Sequence, residues 1–226
     1  MEQFVAIDGA VSAIATVIES RPVLVAIGLV IIAGGAAAAY RWLRTTPGER
    51  FSELVADREA AVVLMHPNPD PDAMAAAMGV AALGEQVDTE MTIQYPGQIR
   101  HQENRAFRTV LELDIDAVDH VTELAAEDVI LVDHNEPRGF DGCDGLLPLA
   151  VVDHHPGDGS GEQFTDVRTD YGAASSIVAE YFSDIDAVPV PAGEHARETN
   201  ASRFFPSFTA TGLLYGLLAD TQHLTV

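Results

Sequence analysis

The sequence predicts an α/β fold, a mainly parallel sheet with helices on both faces, preceded by an N-terminal transmembrane helix. Three observations predict it. Runs such as "AVVLM", "VILV" and "LAVV" are continuously apolar instead of alternating, as strands buried on both faces are. Segments of helical period stand between these runs, the order of a chain built from βαβ units. Residues 22 to 40, "PVLVAIGLVIIAGGAAAAY", carry no charge and have the length a helix needs to cross a hydrocarbon core of ~30 Å. The expected organisation is a leader over 1–21, a transmembrane helix over 22–43, a linker and first helix over 44–60, and a catalytic domain over 61–226.

Taken in order, "FVAIDGAVSAIATVIES" in the leader reads as a short amphipathic helix. Arg41, Arg44 and Arg50 follow the apolar span, whereas Glu2, Asp8, Glu19 and only Arg21 precede it. That bias places the C-terminal side in the cytoplasm, with Tyr40 and Trp42 at the interface, so the chain is expected at the cell membrane as a single-pass protein. A cleaved secretory signal would not have an acidic leader, and a core helix would not be flanked by an arginine cluster and Pro47-Gly48. Beyond a linker at 45–49, "ERFSELVADREA" reads as a helix, "AVVLM" as a buried strand and "DAMAAAMGVAALGEQ" as a helix rich in small residues. "MTIQYP" follows as a strand and "HQENRAFRTVLEL" as a helix. "DVILVDH" and "LAVVDHH" are buried strands, and "GAASSIVAEYF" and "PSFTATGLLYGLLA" close the pattern as helices. Between the last two, Ser183 to Phe205 is broken by prolines, Gly193 and charges and reads as an exposed excursion, with His195 solvated.

Composition narrows the class. At 226 residues and 47% hydrophobic content the chain can bury a real core, which excludes a disordered acidic polymer. Its 35 acidic residues oppose 12 basic ones, all arginine, for a formal charge of −23. Such a field repels long nucleic-acid backbones, so no long duplex is expected as a partner, and a small anionic ligand would need a local cation. The lysine-free acidic surface is similar to that of cytoplasmic proteins of extreme halophiles, where concentrated salt screens self-repulsion. One cysteine, Cys143, excludes an internal disulfide framework.

Ligand sites in parallel sheets collect at the C-terminal ends of the strands. Ionisable residues stand at those ends here. "AVVLM" runs into "HPNPDPD", with His66, Asp70 and Asp72 in a loop stiffened by three prolines. "VILVDHN" ends in Asp133, "AVVDHH" in Asp153, His154 and His155, and "LLYGLLADT" in Asp220. Any one cluster alone reads as a turn or a cap. Brought to one sheet edge, they would crowd like charges unless cations neutralised them. A carboxylate and imidazole set without thiolate suits Mn²⁺, Mg²⁺ or Fe²⁺, and two such ions about 3.5–4 Å apart would clamp a displacement at phosphorus.

The ordered set "HPNPDPDAMAAA", "ILVDHN", "VVDHHP" with "YGAASSIVAEYF" downstream, and "GLLYGLLADTQHLT" resembles the DHH phosphoesterase superfamily over about Ala61 to Val226. The resemblance implies a hydrolase using two manganese ions, with magnesium as the substitute, in which a bridging water or hydroxide attacks a phosphate. It implies metal ligation by His66 and Asp70 at one ion, by Asp72, His154 and Asp220 at the second, and by Asp133 as the bridge. His155 would face the phosphate, which makes Asp133, His154 and His155 the catalytic set. Asp153 and Asn68 would orient the ligands from behind, with His134 as a further neighbour. The amides of Gly172 to Ser176 either meet an anion or cap against the strand of the third motif. Arg138 and Arg168 read as surface residues, and so does His223.

The family's second domain, with its glycine-rich histidine segment, is not found before Val226, and a truncated or fragmentary chain is the expectation. Substrates compatible with the resemblance are small nucleotides: short oligoribonucleotides, 3′-phosphoadenosine 5′-phosphate or cyclic dinucleotides. The alternatives are a catalytically silent metal- or nucleotide-binding module and a single-strand exonuclease of the RecJ type, the latter disfavoured by the acidic surface. A homodimer is left open.

Overall fold

The computed structural model describes residues 21–157, 159–191 and 203–224. Residues 1–20 of the expected leader and His195 lie outside them. The chain divides after Thr45 into two units. The first is carried by helix α1, Pro22–Arg44. Val23, Leu24, Ile27 and the run Leu29 to Ile32 on it are all exposed, and these positions fall on every side of the helix. Among the described residues no helix is long and apolar enough to cross a membrane, so the expected span is unconfirmed.

The second unit begins at Thr46 and includes the first helix after the apolar span. Helix α2, Pro47–Ala56, opens with a capping box in which the Thr46 hydroxyl accepts from the Glu49 amide and Glu49 returns to the Thr46 amide. The chain then runs through β1 (Ala60–Leu64), α3 (Pro71–Glu85), β2 (Glu90–Pro96), α4 (Gln102–Val110) and β3 (Asp116–Val118). It continues through β4 (Val129–Val132), β5 (Ala150–Asp153), β6 (Phe164–Val167), α5 (Ala174–Asp184), β7 (Val188–Val190), β8 (Phe204–Pro206) and α6 (Ser207–Asp220). Six strands form one sheet in the order β3-β2-β1-β4-β5-β6, every pair parallel. The strand order reverses beside β1, between β1 and β4, and the ends of those strands are where a ligand crevice forms.

The two faces are covered differently from expectation. Ala61 and Val63 of β1, Ile130 of β4 and Val152 of β5 join a core with Phe51, Val80, Ile177, Val178, Tyr181 and Leu213, contributed by the helices. Val62, Leu64, Leu131 and Val151, which point the other way, pack against Phe140, Val121, Leu124 and Leu146. Those come from connections that hold only single 3₁₀ turns, at Val121–Glu123 and Cys143–Gly145. Among the described residues the α-helices therefore cover one face only. The physical reason is that right-handed crossovers moving from β3 across to β4, β5 and β6 must pass over the second face. The segment "DHNEPRGFDGCDGLLPL" that does so is too rich in Gly, Pro and Asp to form a helix.

Strands β3 and β6 were not expected. Both are edge strands, short and charged through Asp116 and Asp166, which hides them from a reading based on apolar runs. The expected excursion at 183–205 also contains order: β7 pairs in parallel with β8, and Phe205 stacks on Phe182 with ring centroids 4.4 Å apart.

Helices α2 and α5 approach closely because Gly48 lies on Tyr181. A Cβ at Gly48 would sit 2.6 Å from the Tyr181 Cα and 2.7 Å from its carbonyl oxygen, neither of which can rotate away. Gly48→Ala should lower stability by about 1–3 kcal/mol in urea titration. Gly145→Ala, where a Cβ meets nothing within 4 Å, should stay within about 0.5 kcal/mol of the parent. Equal midpoints for both variants would contradict this packing.

Candidate metal centre

Each ionisable residue at the sheet edge is held by a specific local contact. His66 follows β1 and donates from Nδ1 to the Pro67 carbonyl oxygen at 2.9 Å, which leaves Nε2 as the free ring nitrogen. Asp70 caps α3: its Oδ1 accepts from the Ala73 amide at 3.0 Å, and Oδ2 stays available. Asn104 on α4 clamps the same loop by donating to the Pro69 carbonyl at 2.8 Å. His154 donates from Nδ1 to the Tyr171 carbonyl at 3.2 Å, again freeing Nε2. Backbone carbonyls thus set the tautomer of both imidazoles, as ligand histidines require.

Asp133 stands directly after β4 with φ of +60°, in the left-handed region that Asp tolerates better than most residues. Its carboxylate is buried, and its two oxygens face apart. Oδ2 lies 3.4 Å from His66 Nε2, while Oδ1 lies 3.2 Å from His154 Nε2. On the first side Asp70 joins at 3.8 Å from His66; on the second, Asp220 and Asp72 lie 3.5 and 3.9 Å from His154. Ligand atoms in adjacent positions around a cation with ~2.1 Å bonds sit roughly 3 Å apart. The side chains therefore form the sets His66-Asp70-Asp133 and Asp72-His154-Asp220, joined through Asp133, with His155 adjoining Asp133.

Electrostatics expose an unmet demand for positive charge. Burial and the Asp133 charge push the carboxyls of Asp70 and Asp72 up; burial raises that of Asp220 as well. Asp133 goes the other way: burial would raise it, but the imidazoles of His154 and His66 hold it down at about 2. His154 in turn is raised, because Asp133, Asp72 and Asp220 outweigh its burial. Asp133 Oδ1 and His154 Nε2 are close yet misaligned, and both are buried atoms without a hydrogen-bond partner. Two orphaned ligand atoms facing each other among four carboxylates fit divalent cations well.

Around this centre lie groups that orient it. Asp153, fully buried, accepts from the His154 amide at 2.8 Å and from His155 Nδ1 at 2.9 Å through Oδ1, and from the Asn135 amide group at 2.8 Å through Oδ2. His155 is half-exposed and keeps Nε2 free of that pairing. Asp72 accepts from the amides of Ala174 at 2.7 Å and Ser175 at 2.9 Å, so the helix start after Gly172 caps an aspartate of the centre instead of meeting an external anion. Asp72 is consequently a structural cap as well as a candidate ligand.

Other residues singled out from the sequence stand outside the ligand sets. Asn68 does not brace a ligand; at φ of 58° it accepts from the Arg100 amide at 2.7 Å and ties the proline-rich loop to the β2–α4 turn. His134 is buried, donates from Nδ1 to the Val132 carbonyl, and is held down at about 4 by burial, but it joins neither ligand set. Arg168 is engaged by Asp166, Glu180 and Tyr171. Arg138 and His223 are exposed. Asn135 and Asn104 were not singled out from sequence; Asn135 stands inside the quoted "VILVDHN", where its type and place beside the aspartate were the available signal.

The model of the DHH family, N-terminal domain, matches residues 60–217. The chain belongs to the DHH family. It is 30% identical over 169 residues to an uncharacterized protein of Methanocaldococcus jannaschii, covering 72% of this chain and 30% of the relative. It is 33% identical over 98 residues to a probable manganese-dependent inorganic pyrophosphatase of an Exiguobacterium species, covering 42% of this chain and 30% of that one. The chain thus spans under a third of the length of these relatives. Among solved structures, an exopolyphosphatase-related protein from Bacteroides fragilis shares the fold with a TM-score of 0.57 at 18% identity, over 79% of this chain and 51% of that one. The DHH membership and the joined carboxylate and imidazole sets together support use of a divalent metal.

Asp133→Asn keeps a side chain that tolerates the positive φ but removes the shared charge. It should raise the Kd for Mn²⁺ by more than about tenfold in equilibrium dialysis, with the circular dichroism spectrum retained. Equal metal uptake by parent and variant would show that Asp133 is not a ligand.

Proposed function

We propose that this DHH protein is a two-metal phosphoesterase, using Mn²⁺, that hydrolyses small phosphorylated nucleotides while its N-terminal helix holds it at the cell membrane. The observation that carries the reading is the buried Asp133 carboxylate, whose two oxygens face separate carboxylate and imidazole sets. His66 and Asp70 would hold one ion, and Asp72, His154 and Asp220 the other, with Asp133 shared. Manganese at those positions supplies Lewis acidity and a hydroxide near neutral pH. Asp153 orients His155 through Nδ1, so that Nε2 can meet an oxygen of the phosphate under attack. Asp153 is itself fixed by the Asn135 side chain and the His154 amide, which fixes in turn the orientation of His155. A cleft of about 360 Å³, lined by His66, Asp70, Asp72, Asn104 and Asp220 among others, gives a small phosphorylated molecule access to the centre.

Manganese is favoured over magnesium by the imidazole content of the set and by the similarity to a probable manganese-dependent inorganic pyrophosphatase. Membrane attachment is supported by a 23-residue helix, roughly 34 Å long at ~1.5 Å per residue, with exposed apolar side chains on every side. The charge-free sequence at 22–40 followed by Arg41, Arg44 and Arg50 supports the cytoplasmic orientation of the domain.

Hydrolysis of bis-p-nitrophenyl phosphate should depend on added Mn²⁺ and fall at least about a hundredfold in Asp133→Ala, the scale of losing a charge-stabilising group at a reacting centre. Absence of turnover in the parent, or an Asp133→Ala variant as active as the parent, would leave a silent metal-binding module in its place. In detergent-free lysates the chain should sediment with membranes and be released by removal of residues 1–44. A chain found wholly in the supernatant would exclude the anchor.

A further inference from the structure

The His154 side of the metal centre rests on one short turn. Residues 168–173 join β6 to α5, and the Tyr171 amide donates to the Arg168 carbonyl at 3.0 Å across the turn. All three members of the second ligand set lean on this turn or on the helix start that follows it. The Tyr171 carbonyl takes the Nδ1 proton of His154, and the amides of Ala174 and Ser175 hold Asp72. Gly172 lies on Thr221, the neighbour of Asp220, so closely that a Cβ there would meet the Thr221 methyl at 2.7 Å. The first set has no such dependence: His66 uses the Pro67 carbonyl and Asp70 the Ala73 amide, both within their own loop.

The carbonyl that orients His154 belongs to the Tyr171–Gly172 peptide, and a glycine after it leaves the rotation of that peptide with little steric restraint. Arg168 supplies the restraint. Its side chain is only 15% exposed, and Nε and Nη2 grip the two oxygens of Asp166 on β6, each at 2.8 Å. Nη1 donates to Glu180 on α5 at 2.8 Å and to the Tyr171 phenol at 3.0 Å. The phenol in turn donates to the same Glu180 oxygen at 2.5 Å, and the guanidinium carbon stands 4.9 Å from the centre of the Tyr171 ring. The Arg168 amide donates to the Asp153 carbonyl at 2.9 Å, which joins the turn to the strand end that carries His154. A bidentate pair largely out of water fixes direction as well as distance, so β6, the turn and α5 are locked to one another through this guanidinium. Building on the metal-centre reading above, we propose that Arg168, acting through Tyr171, is a positioning residue for the second metal ion: it holds the turn that aims His154 and Asp72, and leaves the His66 and Asp70 side to its own loop. Its side chain bonds to Asp166, Glu180 and Tyr171 and not to a ligand residue, so it acts on the centre through geometry.

Titration of the full chain with Mn²⁺, followed by the electron paramagnetic resonance of the free ion, reads the two sets separately in single-site backgrounds. In His66→Ala, which leaves the second set, adding Arg168→Gln should raise the Kd about tenfold; in His154→Ala, which leaves the first, the same change should move it less than about twofold. Tyr171→Phe keeps every carboxylate contact of Arg168 and should show the same selectivity at about threefold, which covers an Arg168→Gln chain that folds poorly. Hydrogen exchange of the metal-free chain gives a second readout. The Ala174 and Ser175 amides, which hold Asp72, should exchange at least about tenfold faster in Arg168→Gln, with the Ala73 amide at Asp70 unchanged. Unchanged affinity of the second set in both variants would overturn the proposal, and so would equal weakening of both sets, which is what a general loss of stability produces. If the parent takes up no Mn²⁺, the metal-centre reading fails and the exchange pattern decides alone: faster exchange confined to Ala174 and Ser175 upholds the clamp, and equal change at Ala73 overturns it.

Discussion

The domain depends on one buried charge. Asp133 sits at the C-terminal end of a central strand, out of water, with an imidazole against each oxygen. A lone carboxylate in that place would be neutralised by burial. The two histidines keep it ionised, and burial together with its charge pushes the remaining aspartates toward protonation. The cluster is unbalanced as protein alone, since each carboxylate that ionises makes the next harder to ionise. Divalent cations remove that conflict at once, and for this reason the arrangement reads as a metal centre and not as a hydrogen-bonded core. Its geometry follows from the sheet: β1 and β4 are adjacent parallel strands, so His66 and Asp133 emerge side by side, and β5 next to β4 brings His154 to the other oxygen.

Backbone groups set most of the remaining geometry. Carbonyls of Pro67 and Tyr171 take the Nδ1 protons of His66 and His154, and the amides of Ala174 and Ser175 grip Asp72. Using main-chain partners has an electrostatic consequence. A carboxylate behind each histidine would add negative charge to a site that already has four, whereas a carbonyl orients the ring without that cost. Only His155, half-exposed and able to use solvent, is backed by a carboxylate, Asp153. The helix start at Ala174 also links Asp72 to α5, so the ligand loop after β1 and the helix after β6 are fixed to each other through one side chain.

Much of this was legible in the sequence, for definable reasons. Strands buried on both faces write themselves as continuous apolar runs, and β1, β4 and β5 were found that way. Their ends carry the ionisable residues, so His66, Asp70, Asp72, Asp133, His154, His155 and Asp220 stand out in the sequence, and the fold brings them together. Edge strands β3 and β6 were missed because they mix charge with apolar residues over three or four positions. The second face of the sheet was misjudged because loops and 3₁₀ turns can cover apolar residues without helical period; Phe140 and Leu146 do so from a segment that looks like plain loop. Asn68 was misplaced because sequence proximity to ligands does not say which way a side chain with positive φ turns.

The arginines show the complementary limit. Arg100, Arg105 and Arg108 read as the polar face of an ordinary amphipathic helix and its approach, and nothing in their spacing separates them from solvated surface arginines. What changes their meaning is the company they lack. In a chain with nearly three acids for every base, a guanidinium is expected to meet carboxylates, as Arg168 does at Asp166 and Glu180. Arg105 and Arg108 meet carbonyls instead, in one cavity with Arg100 beside a loop of metal-ligand candidates, against the prevailing charge of the molecule. Carbonyl dipoles hold Arg105 and Arg108 in place against the mutual repulsion of the cluster.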